Sequence, residues 1–442
     1  QGLAPWEIYI SESQERMLLS VPDKNLEKAL EIFETEGVKA TPIGEFTTDG
    51  ILNVTYNDQT VAELDLDFVF DPPKFIGNTN WKPNKLKEPN FSESKNLTEE
   101  LYSLLSMPNI ASKESVIRTY DHEVKGNTAL KPLQSKYGGP NDAAVLKPLA
   151  DSWKGVVISC GMNISYGKID PYWMTASAID EALRNNIAVG GRRIALLDNF
   201  TWGNPQKPDR LGSLVMACKA CYDFSTGFET PFISGKDSLY NESPMGPITP
   251  TLLITAVGVN PDIRKTVSME LKQPGNSVYI VNKTYPELGG SHYYQKKGFL
   301  GNSVPKVRIE QAKKTMNLIT EAIDKSILRA CHDLSEGGLG VASAEMAFSS
   351  GYGLELDLRK VPRKEVSRND FVLFSESNSR FLVEVPQKNK KSFEALMKNV
   401  DFAEIGKVKK DSILSVIGLD GKKQIHADLE ELRKRWKSTL GV

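Results

Sequence analysis

Ser11–Pro22 reads SESQERMLLSVP, and Ser375–Pro386 reads SESNSRFLVEVP. Each is followed by a lysine-containing amphipathic stretch, Leu26–Phe33 in one case and Lys391–Met397 in the other. Each then reaches an Ile-Gly pair, Ile43-Gly44 and Ile405-Gly406, ahead of a second strand-like run. One unit therefore occurs twice, as loop, strand, helix, glycine turn and strand. Chance would have to reproduce both the Ser-Glu-Ser opening and the order of elements. The second copy is preceded, from Ser277 onward, by residues that supply the rest of its domain, whereas the first has ten residues before it. The expectation is that the chain begins inside a domain whose upstream part is missing.

Around these two copies the rest of the chain falls into segments. Residues 1–72 read as the tail of a first α/β lobe. Residues 73–94 read as a linker, with Pro72, Pro73, Pro83 and Pro89 at or near its ends. Residues 95–265 form a second unit, opened by a helix over Leu97–Leu105. Its strands fall at Val156–Ser159, Arg193–Leu197 and Leu252–Val257, and its helices at Met174–Ile187 and Leu211–Phe224. Residues 270–420 form a further lobe, with strands at Ser277–Val281 and Leu328–Cys331 and helices at Ile309–Ile323 and Leu339–Phe348. The charged tail, 421–442, reads as a surface helix.

A chain of 442 residues is too long for one ordinary core and points to roughly two to four domains. With 40% hydrophobic and 25% charged residues the composition is that of a soluble protein, and the net charge of −1 gives no footprint for nucleic acid or an anionic membrane. The longest apolar runs, such as Leu252–Val257, are strand-sized and cannot span a bilayer. No charged stretch followed by an apolar one marks a signal peptide. Cys160, Cys218, Cys221 and Cys331 show no disulfide framework, so a reducing cytoplasm fits best. Cys218 and Cys221 form a C-x-x-C, but no second pair completes a zinc site, and helical periodicity over Leu211–Cys221 favours buried thiols.

Several motifs could carry chemistry. In Gly138-Gly139-Pro140-Asn141-Asp142 the glycines free the backbone to approach phosphate oxygens and the acid can hold Mg²⁺, although an ordinary glycine turn would look the same. Glu181 and Asn185 lie at i and i+4, one helical face, where hard oxygens can share a cation or simply face solvent. Asp198-Asn199 close a buried-looking strand, a usual position for ligand contacts in α/β proteins. Ser234-Gly235-Lys236-Asp237-Ser238 resembles a phosphate loop, but Thr230 and Asp237 break the P-loop pattern. His332-Asp333-Leu334-Ser335-Glu336-Gly337-Gly338 turns a strand into a helix start. Its twin glycines exceed what a cap needs and suit a bound phosphate. His122, His292, His332 and His426 show no metal spacing, and no cysteine–histidine pattern supports glutamine hydrolysis in this chain.

In this order, SESQERM, YDHEVKGNT from Tyr120, GGPNDAAVLKP, EALRN, LLDNFTWGNP, SGKDSLYNE, GPITPTLLITAVG, YPELGGS from Tyr285 and HDLSEGGLGVASAEMAF resemble the phosphoribosylformylglycinamidine synthase family. The pieces cover nearly the whole chain, and SGKDSLYNE, GGPNDAAV and HDLSEGG are specific as a set. The resemblance implies an α/β, aminoimidazole-ribonucleotide-synthetase-like (PurM-like) fold with N- and C-terminal lobes, internally duplicated. The two N-terminal lobes of such proteins share a barrel that carries a catalytic and an auxiliary nucleotide site.

By position, Glu12, Ser13, Gln14 and Ser238 would contact formylglycinamide ribonucleotide, and Asp198 and Gly235 catalytic ATP. Asp142, Glu181, Asn185 and Asp333 would hold Mg²⁺ at the auxiliary site, with Ser335 near its nucleotide. Shorter members have Gly-Asn-Val-Ser where this chain has Gly235-Lys236-Asp237-Ser238. An ammonium cannot ligate Mg²⁺, so Asp237 takes any metal role there. The catalytic histidines of the family belong to the upstream half, so this chain alone is expected to be inactive. The implied reaction is an ATP-dependent ligation in purine biosynthesis. It uses ammonia from a glutaminase (PurQ-type) subunit through a small bridging (PurS-type) subunit, and involves neither nucleic acid nor membrane. The alternatives are another synthetase of the superfamily, which duplicates by dimerising, or a non-catalytic nucleotide-binding scaffold.

Overall fold

The computed structural model describes residues 2–74, 76–84, 86–120 and 122–440. The chain divides into two units, Gln1–Ile76 and Gly77–Val442.

In the first unit a helix, Pro5–Tyr9, precedes the first Ser-Glu-Ser loop. A 3₁₀ turn at Asp23–Asn25 feeds the helix Leu26–Thr35. Strands Ile51–Tyr56 and Gln59–Asp65 form an antiparallel hairpin. Its two turn residues, Asn57 and Asp58, are both left-handed (φ 50° and 61°), the conformation that matches the twist of a two-residue hairpin. A short helix, Leu66–Phe70, is capped by the Asp65 carboxylate, which accepts from Asp67 N at 2.8 Å. The strand expected after the first Ser-Glu-Ser does not form. Met17–Val21 has no ladder partner among the described residues, and Met17 and Leu18 are 87% and 85% exposed. A strand exists only through its neighbours, so an apolar run without one stays irregular.

The second unit contains two large sheets and, among the described residues, two two-stranded ones, Leu133–Gln134 with Gly139–Pro140 and Glu242–Ser243 with Gly246–Pro247. The first has six strands in the order Thr128–Leu130, Ala144–Leu146, Gly155–Gly161, Thr251–Asn260, Arg192–Thr201 and Phe232–Ser238. All pairs are antiparallel except the last, which is parallel. Helices Pro171–Ala188 and Pro208–Phe228 each start with proline, whose missing N–H costs nothing at a helix start. They pack on each other, and the first lies against strands Gly155–Gly161 and Thr251–Asn260. The other sheet face is open enough that Ile158 and Val259 are 40% and 39% exposed.

The second sheet has seven strands in the order Ala330–Asp333, Phe381–Val385, Ser277–Val281, Phe402–Lys409, Gly353–Asp357, Ile413–Ile417 and Lys423–Asp428. Ser277–Val281 and Phe381–Val385 are buried at every residue, because both faces are covered. One face meets helix Gly338–Ser350 and the C-terminal helix Leu429–Ser438. The other joins helices Ile309–Asp324 and Pro171–Ala188 in a core shared with the first sheet.

Two segments are more integrated than their composition suggests. The charged stretch 421–442 supplies the edge strand Lys423–Asp428. It also buries Leu429, Leu432 and Trp436, whose indole N–H donates to Ile110 O at 2.9 Å. Helix Leu97–Leu105 packs on that edge strand and the C-terminal helix, so it belongs to the core of the second sheet. The stretch expected as a linker is anchored near its end: Phe91 stacks on Phe299 (5.4 Å) under the Arg368 guanidinium (4.7 Å). Among the described residues no helix is long and apolar enough to cross a membrane.

Candidate functional site

The two Ser-Glu-Ser loops share one local architecture. In the second, Arg380 Nε donates to Ser377 O (2.8 Å) and Nη2 to Ser375 O (2.6 Å), the two serine hydroxyls lie 3.0 Å apart, and Ser379 is left-handed (φ 62°). In the first, Arg16 Nε donates to Ser13 O (3.1 Å) and Nη2 to Ser11 O, the hydroxyls lie 2.8 Å apart, and Glu15 is left-handed (φ 60°). The arginine stands five residues after the first serine in both copies, a signal that was available in the sequence. The 3₁₀ turn after the loop also recurs, at Asp23–Asn25 and Gln387–Asn389, each following a proline.

The loops differ at the glutamate. Glu376 is buried and accepts from His292 N (2.9 Å), His292 Nδ1 (3.0 Å), Gly337 N (2.9 Å) and Tyr166 OH (2.7 Å). Glu12 is exposed, and its carboxylate has no hydrogen-bond or ion-pair partner among the described residues. Gln14 turns its amide onto Glu12 O (3.0 Å), and Ser13 N bonds Ser11 Oγ (3.4 Å).

A second group gathers where the two sheets of the larger unit adjoin. Asp142 leads into strand Ala144–Leu146, and Asp333 ends strand Ala330–Asp333. Asp142 Oδ1 accepts from His332 Nδ1 (2.6 Å) and Asp333 N (3.4 Å), and Asp142, His332 and Asp333 each offer a ligand atom within 4.8 Å of the others. Arg184, three residues after Glu181 on helix Pro171–Ala188, reaches into the same place. It pairs with Asp180 and donates from Nη2 to Asp333 Oδ2 (3.2 Å) and Ser335 Oγ (2.9 Å).

Glu181 Oε2 accepts from Asn163 Nδ2 (2.7 Å) and Met162 N (3.1 Å), while Asn185 Nδ2 donates to Cys160 O (3.0 Å). The shared helical face is therefore real, and it is turned inward. Asp142 Oδ2 and Asn185 Oδ1 are buried without a partner among the described residues. The sequence reading missed Arg184 and the buried ring of His332, whose Nε2 lies 3.1 Å from Glu345 Oε2.

Carboxylates outnumber cations here, and the protonation equilibria follow. Burial, opposed by His332, pushes Asp142 up to about 6. Burial and then the charges of Glu336 and Asp333 raise Glu181 well above the usual carboxylate range. Glu336, half-buried, rises to about 6 through burial, opposed by His292 and reinforced by Glu376. Burial pulls His332 down, but the charges of Asp142 and Glu345 and the hydrogen bonds to both together outweigh it, and the imidazole ends well above its ordinary value.

The glycines of both motifs turn out to have packing reasons. A Cβ on Gly139 would stand 1.6 Å from Ser349 Oγ, and one on Gly338 would stand 2.2 Å from Ser375 O. Gly337 N, the first free donor of that helix start, is already bonded to Glu376.

The third group lies on the far strands of the first sheet. Asp198 and Gly235 face each other in register on the parallel pair, with Asp237 opposite Phe200 and Ser238 opposite Thr201. A Cβ on Gly235 would meet Asp198 Oδ1 at 2.1 Å, so only glycine admits the carboxylate there. Burial, opposed by the Lys236 N–H, raises the Asp198 pKa. Residues 232–238 form an edge strand, not a loop, and Gly235, Lys236 and Asp237 are exposed. Lys236 Nζ bends back onto Asp237 O at 2.7 Å. Strands Ala144–Leu146 and Arg192–Thr201 are three spacings apart, roughly 14 Å, so this group and the Asp142 group are separate. Cys218, expected buried, is exposed on helix Pro208–Phe228, and Cys221 is half-buried.

The model of the AIR synthase related protein C-terminal domain matches residues 1–57 and again 273–418, and that of the N-terminal domain matches 140–260. The two C-terminal matches enclose the two Ser-Glu-Ser loops, so the duplication is real. The chain is 33% identical over 457 aligned residues to phosphoribosylformylglycinamidine synthase subunit PurL of Methanothrix thermoacetophila, covering 99% of this chain and 58% of the relative. It is 35% identical to the subunit of that name from Thermococcus sibiricus, covering 100% and 60%. The chain belongs to the phosphoribosylformylglycinamidine synthase family. It spans between 58% and 60% of the length of these two relatives. Among solved structures, T. maritima PurL complexed with FGAR superposes with a TM-score of 0.63 at 16% identity, over 78% of this chain and 54% of that one. PurLQS from Thermotoga maritima gives 0.60 at 15%, over 77% and 52%. These likenesses bear out the PurM-like fold.

Proposed function

We propose that the chain is part of an ATP-dependent, amidine-forming synthase acting on formylglycinamide ribonucleotide. In this reading the γ-phosphoryl group of ATP passes to the substrate amide oxygen. Ammonia then adds to the same carbon, and the oxygen leaves with phosphate, giving formylglycinamidine ribonucleotide, ADP and phosphate. The assignment to substrate rests on what the relatives are named for, including solved structures with FGAR and with ATP. Ammonia would come from a glutaminase partner, in keeping with the three-component PurLQS assembly, and the work would be cytoplasmic. The open face of the six-stranded sheet supports pairing with a second N-terminal lobe.

Within the chain, Glu12, Ser13, Gln14 and Ser238 would bind substrate, Asp198 and Gly235 the reacting ATP, and Asp237 any metal beside it. Asp142, Glu181, Asn185 and Asp333 would hold Mg²⁺ at a second nucleotide site, with Ser335 against that nucleotide. The observation that carries this second site is the pair of buried, unpartnered oxygens, Asp142 Oδ2 and Asn185 Oδ1, in a place with surplus carboxylates. Hard oxygens of this kind suit Mg²⁺, which would supply positive charge against both the carboxylates and the phosphates. Arg184 fixes the outer oxygen of Asp333, and His332 orients Asp142. Because Glu376 already occupies the Gly337 N–H, this helix start has less to offer a moving phosphoryl group. The site would hold its nucleotide without turning it over.

The test is a thermal melt with and without Mg²⁺-ADP, paired with turnover in the complete enzyme. Mg²⁺-ADP should raise the Tm of the parent, and Asp142→Asn should abolish that rise. Asp198→Ala should lower turnover about a hundredfold or more while leaving the rise intact. A full Tm rise in Asp142→Asn refutes the second site, and full turnover in Asp198→Ala refutes the first.

A further inference from the structure

A groove of about 800 Å³ lies on the larger unit, and none of the site residues assigned above lines it, although Gly138 of the Gly138–Asp142 motif does. Helix Glu114–Thr119, strands Thr128–Leu130 and Leu133–Gln134, the turn Ser135–Gly138 and the C-terminal helix build its walls. Its volume falls in the range of small-molecule sites, but its chemistry is not apolar. Arg118, Lys131, Lys136, Arg433 and Lys437 line it against one carboxylate, Glu114. Beyond the lining, Glu123 takes Lys131 (2.7 Å) and Glu430 stands 4.0 Å from Arg433, so a positive excess remains.

The cations are positioned rather than scattered. Glu114 holds Arg118 Nε (2.8 Å) and Lys437 Nζ (2.9 Å) at once. Tyr137 is flanked by Lys136 Nζ at 4.8 Å and the Arg433 guanidinium at 4.4 Å from its ring centre. The arginine and the C-terminal lysine keep only 24% and 29% of their side chains exposed, so their heads are partly withdrawn from water. Lys136 has no carboxylate within 4.0 Å among the described residues. Like charges gathered in a concavity raise the local potential and concentrate a multivalent anion. Two guanidinium forks suit phosphoryl oxygens in pairs, and ammonium groups add point charge.

We propose that this groove is a binding site for a small oligophosphate anion, held by Arg118, Lys131, Lys136, Arg433 and Lys437 without a metal ion. Among the described residues Glu114 is the one lining carboxylate, so the groove has little to hold Mg²⁺ with, in contrast to the Asp142 site. Tyr137 offers an aromatic surface beside the phosphoryl positions, so a nucleoside oligophosphate and a bare one are distinguishable sources of the same chemistry.

The test titrates sodium tripolyphosphate calorimetrically into the 442-residue chain with EDTA present, which silences any Mg²⁺-dependent site. Saturable binding at 50 mM salt is expected, weakening tenfold or more by 200 mM. Lys136→Glu and Arg433→Glu should each weaken it at least tenfold. Lys136 is exposed, so its variant should melt like the parent and show that the loss is local. ATP binding more tightly than tripolyphosphate, with the gap closed by Tyr137→Ala, marks a nucleotide as the source; equal affinities mark the bare phosphate chain. No binding, or binding indifferent to both substitutions, overturns the proposal. So does a glutamate hexapeptide that binds as tightly as tripolyphosphate, which would make the groove a dock for an acidic protein segment.

Discussion

The Ser-Glu-Ser loop at residues 11–21 and its counterpart at 375–385 have one backbone and two fates. Both are clamped by their own arginine, both put a left-handed residue four positions after the first serine, and both hand over to a 3₁₀ turn. Such a geometry is written within six residues and needs no surroundings. The apolar run after the arginine does need them: Phe381, Leu382 and Val383 are fully buried, whereas Met17, Leu18 and Leu19 are exposed. The glutamate diverges too, Glu376 serving as an internal acceptor for four donors while Glu12 points to solvent. A local motif thus survives duplication intact, and its environment decides whether it becomes a structural hub or stays open to solvent.

The two loops should part most widely at their arginines. Arg380 is fully buried, and burial followed by repulsion from Arg184 pulls its guanidinium down to about 9. Arg380→Ala leaves Ser375 O and Ser377 O without donors and opens a cavity. It should cost about 3 kcal/mol or more in a denaturant melt. Arg16→Ala removes the same bonds on an exposed loop, where water replaces them, and should stay within about 0.5 kcal/mol. Equal losses at the two positions would mean that the loops are not differently employed.

A smaller effect separates the glutamates by pH. Burial alone would pull His292 down, but the Glu376 charge and hydrogen bond raise its pKa above the ordinary value. Burial alone would raise Glu376, but His292 holds it below the usual carboxylate range. A raised histidine stabilises fully below its unfolded pKa and loses that contribution as pH rises through the folded one. A lowered carboxylate stabilises above its unfolded pKa and loses it as pH falls through the folded one. The stability difference between the parent and Glu376→Gln should therefore be flat, at about 2 kcal/mol, between roughly pH 5 and 6.5. It should shrink on either side. Chemical melts across pH 4–9 check this, and a difference that grows above pH 8 contradicts the ion pair.

Much of this fold is legible in the sequence, for reasons that particular residues expose. The periodic helices Pro171–Ala188 and Ile309–Asp324 and the apolar strands Ser277–Val281 and Thr251–Asn260 follow from patterns with one solution. The hairpin 51–65 escapes a sequence reading, because Asn57-Asp58 lacks the glycine that usually marks a left-handed turn. The face shared by Glu181 and Asn185 is legible, and Arg184 is the residue that spacing should have added, since i+3 lies on that face as surely as i+4. The twin glycines at 337–338 point to a phosphate in the sequence. In the structure they are explained by a left-handed turn and the close approach of Ser375 O, contacts that depend on a segment 37 residues later. Sequence spacing reports what one element presents, and it is silent about what a distant loop will press against it.

Glu12 should leave the faintest mark on stability and the clearest one on use. It has no partner to lose, so Glu12→Gln should leave the melting curve unchanged within about 0.5 kcal/mol. Glutamine keeps the length and one carbonyl oxygen but cannot carry charge, so it probes only what an exposed carboxylate does for a ligand. If Glu12 accepts from a donor on formylglycinamide ribonucleotide, as proposed, the complete enzyme should show a KM for that substrate raised roughly tenfold or more, because a charge-assisted bond to a ligand is worth about 1.5–3 kcal/mol. The KM for ATP should not move. The mirror substitution, Glu376→Gln, should do the reverse, lowering stability and leaving the substrate KM alone. The two variants form a crossed pair, and a Glu12→Gln enzyme with an unchanged substrate KM would remove the loop from the substrate site and leave its exposure without a use.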